Sequence, residues 1–572
     1  MPPLERSAAN FVAKRACVSC HHNILSILTF RLAQERGVPV DANVLAAVEE
    51  KTFRQLRGAA ALDDAVTAAT LNDPTPNDSF LLMAAHASGL PRDLVTGVYA
   101  RRLLAWQRDG HWVTSDFRPP HSSSVFTASA TAVRAIRLYL PDELRMDGDA
   151  AIERARQWLF ETHPNSTEDA TFRLLGLVWA GARNVEIEAA RRDLVALQQP
   201  TGGWPQLPHY PPDAYSTGEA LFALRQAGTA LNHATRNQAA WRSGMRFLLS
   251  TQAADGSWRS HTRMLSPAQV SPAYFTTGFP YEKDEYLSYA GGCWAVMAML
   301  SAFPESPSRK ESVNPPGGIA PGWAGATLFG APEQLATLLD AGLDPNSKTA
   351  NGSTLLMMAA PDAAKVRLLL ARGADPRART ASGIDALTIA AAYRGTAASI
   401  EALLAAGAEA RVPAGLRVRA SPLVFASMTG DLANVQRLLA AGAGASAAAG
   451  SQTPLTAALT FGYADVARTL IAAGASASIT ESTGINLLHW AAITDTPAVV
   501  PVLIKAGVPV NATDENGFTP LMYAATIDFG DTTLLKALIA AGADRNIRND
   551  EGRTAPEQAR HYGLAEVEAA LR

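Results

Sequence analysis

Three cysteines in 572 residues, Cys17, Cys20 and Cys293, are too few for a disulfide-stapled scaffold. No uninterrupted apolar run of about 18 residues occurs, so no membrane-spanning helix is expected. Neither sign of charge dominates: 50 Lys and Arg face 53 Asp and Glu, a net charge of −3. A dedicated nucleic-acid binder would need a basic excess to neutralise phosphates, so that class is disfavoured. The opening residues, MPPLERSAANFVAKRA, hold no apolar stretch of signal-peptide length. Taken literally, the chain is expected in the cytoplasm; a leader missing upstream would reverse that. The length exceeds what one hydrophobic core supports, so two or more domains are expected.

What is present is repetition. A Gly followed by a small apolar residue recurs at Gly342, Gly373, Gly407, Gly442, Gly474, Gly507 and Gly542, in steps of 31, 34, 35, 32, 33 and 35 residues. Each closes an apolar helical stretch such as VRLLLARGADP or LLKALIAAGADRN, where a left-handed C-cap favours Gly. About twenty residues earlier stands a second signature, as in NGSTLLMMAA, SQTPLTAAL, TGINLLHWAA and NGFTPLMYAA. The unit resembles the ankyrin repeat, and DENGFTPLMYAATIDFGDTTLLKALIAAGADRN, from Asp514 to Asn546, is its best copy. His489 is the sole His at the TPLH position. The resemblance spans about 323–572: some seven repeats with a degenerate first unit and a C-terminal cap, as terminal units of a solenoid require. It implies a protein partner met by the hairpin tips and the concave face. At the best copy those tips are Asp514, Glu515 and Asn516, followed by Asn549 and Asp550. The Thr of the TPL signature is expected to tie successive units together.

Residues 304–322, PESPSRKESVNPPGGIAPG, are rich in Pro, Gly and Ser and are expected to form a linker. Upstream lies another repeat. QQPTGGW (Gln198–Trp204) and QAADGSW (Gln252–Trp258) fit Q-x-x-x-G-x-W; WQRDGHW (Trp106–Trp112) is a degenerate copy, and Trp158 marks a unit lacking the motif. Helix–turn–helix patterns flank these copies, and YLSYAGGCWAVMAMLSAF reads as the closing helix. Residues 1–303 are therefore similar to the squalene cyclase and protein prenyltransferase superfamily, which implies an α/α toroid. The expected fold is all-α: a toroid-like helical-hairpin domain followed by an ankyrin solenoid.

The superfamily's chemistry does not transfer with its fold. No D-x-D-D acid motif occurs, and the position of the prenyltransferase zinc-binding His is occupied by Leu287. Acidic residues recur near the starts of second helices: Asp78, Glu168, Asp169, Asp213, Asp284 and Glu285. One reading is a ring of carboxylates at a cavity mouth. The favoured one is helix capping and dipole compensation, which place acids at the same positions.

CVSCHHN, residues 17–23, contains C-x-x-C-H, the spacing of c-type haem attachment. Two thiols would bond the haem vinyl groups and His21 would ligate iron. Met83, His86, His121, His209 and His261 are possible distal ligands, and the sequence selects none of them. Two other readings stay open: a Cys17–Cys20 pair, either disulfide-bonded or packed as thiols, and a zinc site drawing on Cys17, Cys20, His21 or His22, and Cys293. A thioredoxin-type pair is disfavoured, since no βαβ pattern surrounds it. Alignment with WLFETHPNSTEDATFRLL places CVSCHHN at an inter-helix turn. The leading expectation is a binding scaffold whose ankyrin array recruits a partner while the toroid presents a cavity or Cys/His site. The alternatives are a periplasmic c-type haem protein and an isoprenoid-handling enzyme.

Overall fold

The computed structural model describes residues 1–16, 18–67, 74–116, 118–121, 123–230, 239–263, 276–304, 320–411, 421–448, 452–480 and 483–572, without the side chains of Cys20, Pro74 and Ala230. Among the described residues regular structure is helical, and strand pairing is confined to isolated bridges such as Arg108–His111 and Lys348–Thr354. The chain forms two compact units. One comprises Met1–Arg57, Asn72–Leu140 and Arg145–Pro316; the other comprises Gly58–Leu71, Pro141–Leu144 and Gly317–Arg572. Most of the expected linker, 305–319, lies outside the described residues.

The first unit is a closed ring of helices. In chain order the elements up to Leu300 are α1 (Pro2–Lys14), α2 (Leu25–Glu35), α3 (Ala42–Phe53), α4 (Ala61–Thr67), α5 (Pro74–Ala87), α6 (Leu94–Ala105), α7 (Val125–Tyr139), α8 (Arg145–Glu161), α9 (Thr167–Ala180), α10 (Asn184–Ala196), α11 (Ala214–Ala230), α12 (Ala239–Thr251) and α13 (Glu285–Leu300); all but α4, which belongs to the second unit, are in the first. Six of them pack in sequence, α2 on α5, then α7, α9, α11 and α13, and α13 returns to α2. Composition separates this inner ring from the outer helices. In α13 every residue except Val296 and Met299 is buried, as an inner helix surrounded by protein requires. The outer helix α12 buries only Trp241, Gly244 and Leu248, a single face. Small residues allow the inner helices to approach: a Cβ on Gly218 of α11 would lie 2.5 Å from the Ala295 nitrogen of α13.

The Q-x-x-x-G-x-W copies share one geometry. The Trp112, Trp204 and Trp258 indoles donate to the carbonyls of Leu103, Leu194 and Leu248, at 2.6, 2.7 and 2.8 Å. The Gln107, Gln198 and Gln252 amides donate to Gly110, Gly202 and Gly256 at the tight turn. Gln107 and Gln198 also reach the carbonyls of Ala151 and Ala240, across to the next outer helix. Trp158, in the unit that lacks the motif, sits within α8 and stacks on His111 at 4.7 Å between ring centroids.

Among the described residues of the second unit, eight helix pairs run from Ala324–Leu328 and Pro332–Asp340 to Ala555–His561 and Ala565–Leu571. First helices stack on first helices and second on second throughout the described pairs. The seven glycines noted in the sequence all adopt positive φ, from 84° at Gly507 to 99° at Gly407. The Thr of the TPL signature does something other than join units: Thr519 Oγ1 accepts from Met522 N of its own helix at 3.3 Å, a helix cap. The tie between units comes from His489, whose Nε2 meets the Phe518 carbonyl of the following repeat at 3.0 Å. The same unit includes α4, where Asp63 accepts from Thr349 Oγ1, from Asn351 Nδ2 at 3.1 Å and from Ser353 N at 3.3 Å.

Candidate functional site

The inter-helix turn of the first hairpin leads into a π-helical turn, Cys20–Ile24, that opens α2. Cys17 and the Cys20 side chain lie outside the described residues. Ser19 Oγ accepts from His22 N at 3.0 Å, just as Ser166 Oγ accepts from Asp169 N at 3.0 Å at the start of α9. This shared cap sets a common register for the side chains beyond it. Two residues after Ser19 comes His21; two after Ser166 comes Glu168; two after Asp213, which caps Ser216 N at 2.9 Å, comes Tyr215. The starts of α2, α9 and α11 thus present chemically distinct side chains from one register position.

Glu168 is the centre of this cluster. Its Oε1 accepts from Thr127 of α7 at 2.6 Å and its Oε2 from the Tyr215 hydroxyl of α11 at 2.8 Å. Glu219, four residues beyond Tyr215 on the same face, is fully buried and bonds to Glu168. Among the described residues no other donor reaches either Glu219 oxygen, so a proton on Glu219 shared with Glu168 is what satisfies the pair. Burial raises Glu168 to about 7, partly offset by its hydrogen bonds. Burial and then the Glu168 charge raise Glu219 well above the usual carboxylate range.

The Tyr215 oxygen lies 3.1 Å from His121 Nδ1. Because Tyr215 gives its own proton to Glu168, it accepts here, and His121 carries its proton on Nδ1. His121 Nε2 is then a bare acceptor; it is buried and has no partner among the described residues. Burial, then the Arg118 charge, lowers His121 to about 4, so it is neutral near pH 7. Its ring lies edge-on to that of His21, with centroids 6.3 Å apart. His22 is sandwiched between Phe11 at 4.8 Å and Tyr289 at 4.1 Å, and its Nδ1 bonds to His21 Nδ1. Burial lowers His22 to about 3, and lowers His21 well below the usual imidazole value with help from His22, His121 and Arg118.

The remaining sequence candidates are placed apart. His86 packs against Tyr139, His209 against Tyr210, and an exposed His261 pairs with Asp284 at 2.9 Å; Met83 is half-buried within α5. Cys293 is buried in α13, and burial pushes its thiol up to about 12. Leu287 is fully buried among the apolar core.

The recurrent acids divide. Asp78 pairs with Arg102 at 2.7 Å, Asp169 accepts from Ser124 at 2.5 Å, Asp284 holds Arg259 at 2.9 Å and Glu285 accepts from Thr277 N at 2.5 Å. These, with the capping Asp213, are spent on caps and pairs. Glu168 alone among them enters the cluster. Sequence reading missed Glu219 altogether. Its available signal was an acid isolated among apolar residues, GEALFAL, in an inner helix.

At the ankyrin tips the candidates also divide. Asp514 is buried, accepting from Phe518 N and the Tyr523 hydroxyl at 2.8 Å each, and Asn549 is buried, accepting from Arg553 N at 2.9 Å. Both shape the hairpins. Glu515, Asn516 and Asp550 are exposed.

Residues 473–549 match the family model for ankyrin repeats, in three copies. An ankyrin repeat-containing protein of Schizosaccharomyces pombe is 41% identical over 66 residues, covering 11% of this chain and 31% of its own length. Mouse protein phosphatase 1 regulatory subunit 27 is 36% identical over 69 residues, 12% of this chain and 44% of its own. An ankyrin repeat-containing protein of Treponema pallidum is 34% identical over 95 residues, 16% of this chain and 31% of its own. The chain thus spans less than half of each of these relatives. Its C-terminal region carries ankyrin repeats. Among the described residues no helix is long and apolar enough to cross a membrane.

Proposed function

We propose that this protein is a protein-binding scaffold, in which the ankyrin array recruits a protein partner and the ring presents its Cys/His site to that partner. The stacking of eight helix pairs with exposed tips carries the reading, since solenoids of this kind offer extended surfaces for partners. One relative is named as a regulatory subunit of a phosphatase, which supports a protein as the partner class. The test is affinity recovery with the full chain and with a Glu515→Ala, Asn516→Ala, Asp550→Ala variant. A specific protein retained by the wild type and lost by the variant, at unchanged circular dichroism, is expected. Equal retention by both overturns the tip assignment.

A second reading is favoured by the imidazoles at the first turn: a periplasmic c-type haem protein that the array docks to an electron-transfer partner. The donor chemistry fits. Cys17 and Cys20 would carry the thioether bonds and His21 would ligate iron; the ring of buried His121 lies 6.3 Å from that of His21, centroid to centroid. A bound haem would supply one-electron redox chemistry. Pyridine haemochrome absorbance of the purified protein tests this; stoichiometric zinc by elemental analysis would replace it with a metal clip.

A further inference from the structure

We propose that the cleft at the seam of the ring, lined by Leu4, Trp258, Phe279, Val296, Met299 and Phe303, is a binding site for a small, wholly apolar molecule the size of a single aromatic ring. It shares no residue with the cluster of imidazoles and carboxylates.

Four observations carry it. The first is an uncovered face on an inner helix. Val296 and Met299 are the residues of α13 that are not buried, and three positions apart they share one side of the helix. Both line the cleft, between the start of α1 and the turn that follows α12. The second is size. The cleft encloses about 180 Å³, and apolar cavities of about 150 Å³ stay dry and admit benzene. Gly292 keeps its floor open: a Cβ there would meet Leu4 Cδ2 at 3.2 Å and Phe279 Cζ at 3.8 Å. Glycine inside a helix is intrinsically unfavourable, so the space it leaves is what it contributes. The third is chemistry. The polar side chains of the lining are already engaged. Gln252 Nε2 donates to the Gly256 carbonyl at 3.0 Å, and the Trp258 indole donates to that of Leu248 at 2.8 Å. The Ser257 hydroxyl lies 2.6 Å from Asp255 Oδ1 and 2.7 Å from the Tyr281 hydroxyl. Recognition is left to shape and apolar burial, which disfavours polar molecules. The fourth is strain. Tyr281 adopts φ of 89° and Glu282 φ of 48°, a left-handed pair without glycine. Such conformations are costly for large side chains and gather at ligand clamps. Here they turn the chain just after Phe279, whose ring packs edge-on to Tyr289 at 5.4 Å between centroids and forms one wall.

The extent of the apolar surface favours a small molecule over a protein. Among the described residues, Phe303, 53% exposed, is the one exposed large apolar side chain that lines the cleft. The apolar surface ends at this rim, short of the ~800 Å² that each side of a stable protein interface buries.

The test is calorimetric titration of the full chain with benzene and, as a polar isostere, pyridine. One benzene per chain is expected to bind saturably. Pyridine is expected to bind at least about tenfold more weakly, because its nitrogen would lose water without gaining a partner. Val296→Phe fills the cleft and is expected to abolish benzene binding at unchanged circular dichroism. If Val296→Phe fails to fold, Phe303→Ala decides: loss of the rim is expected to weaken benzene several-fold, and an unchanged affinity overturns the site. Benzene that does not saturate on the wild type, or that binds folded Val296→Phe equally well, also overturns it. Pyridine bound as tightly as benzene overturns the apolar class. Self-association of the wild type in sedimentation that Val296→Phe abolishes overturns the small molecule in favour of a second copy of this chain.

Discussion

The Tyr215 hydroxyl lies 2.8 Å from Glu168 Oε2 and joins side chains that start from the same register position on neighbouring inner helices, α11 and α9. The same oxygen receives His121 at 3.1 Å, so one phenol links a buried acid pair to a buried base. Tyr215 is fully buried, away from water that could stand in for either partner.

Tyr215→Phe removes one donor and one acceptor together. Glu168 keeps Thr127, but His121 Nδ1 is left without a partner. The expected loss is about 1–3 kcal/mol of unfolding free energy, the usual cost of stranding buried polar groups. Urea denaturation of wild type and variant measures it; a loss within a few tenths of a kcal/mol refutes the buried linkage.

The acid pair makes stability pH-dependent, and the sign comes from the raised values. A carboxyl group whose folded value lies above its unfolded one favours the fold when protonated. That contribution is full below the unfolded value of 4.5 and is lost as pH rises through about 7 for Glu168; Glu219, raised well above the usual carboxylate range, acts in the same direction. Asp169 and Asp213 add negative charge facing Glu219, reinforcing the trend. The urea midpoint is expected to fall between about pH 5 and about pH 8, and Glu219→Gln, which keeps a donor for Glu168, is expected to flatten that fall. Parallel wild-type and variant profiles would show that the pair is not the source.

Two glycines of the array separate conformational cost from steric cost. Gly474 has φ of 92° and nothing within 4 Å of an added Cβ, so Gly474→Ala is expected to cost about 1 kcal/mol. Gly517 has φ of 76°, but a Cβ there would meet the Asn549 Cα at 2.9 Å and the Asp550 nitrogen at 3.0 Å in the next repeat. Gly517→Ala is expected to cost more, by at least another ~1 kcal/mol of overpacking. Equal thermal midpoints for the two variants would contradict the close approach of these repeats.

The motif glutamines should rank by what they reach. Gln198 bridges Gly202 and Ala240 at 2.7 and 2.8 Å, whereas Gln252 makes one exposed bond, 3.0 Å, to Gly256. Gln198→Ala is expected to cost about 1–2 kcal/mol and Gln252→Ala under about 1. Denaturation midpoints in the reverse order would show that the bridge to α12 does not hold the outer helices.

What the sequence determined by itself was local. The glycine steps, the cap residues before each helix and the Q-x-x-x-G-x-W turns are legible because their partners lie within about ten residues, so residue type and spacing carry the physics. Even there the roles shifted: Thr519 caps its own helix while His489 joins repeats, because a hydroxyl reaches only the next turn and an imidazole spans to the next unit. Only the tertiary structure decided which groups share the interior of the ring. His21, His121, Glu168, Tyr215 and Glu219 come from four separate stretches of chain. Their convergence depends on α13 closing onto α2, a contact with no local signature. For the same reason Asp514 and Glu515, neighbours in sequence, part company: one turns inward to Tyr523 and the other faces water.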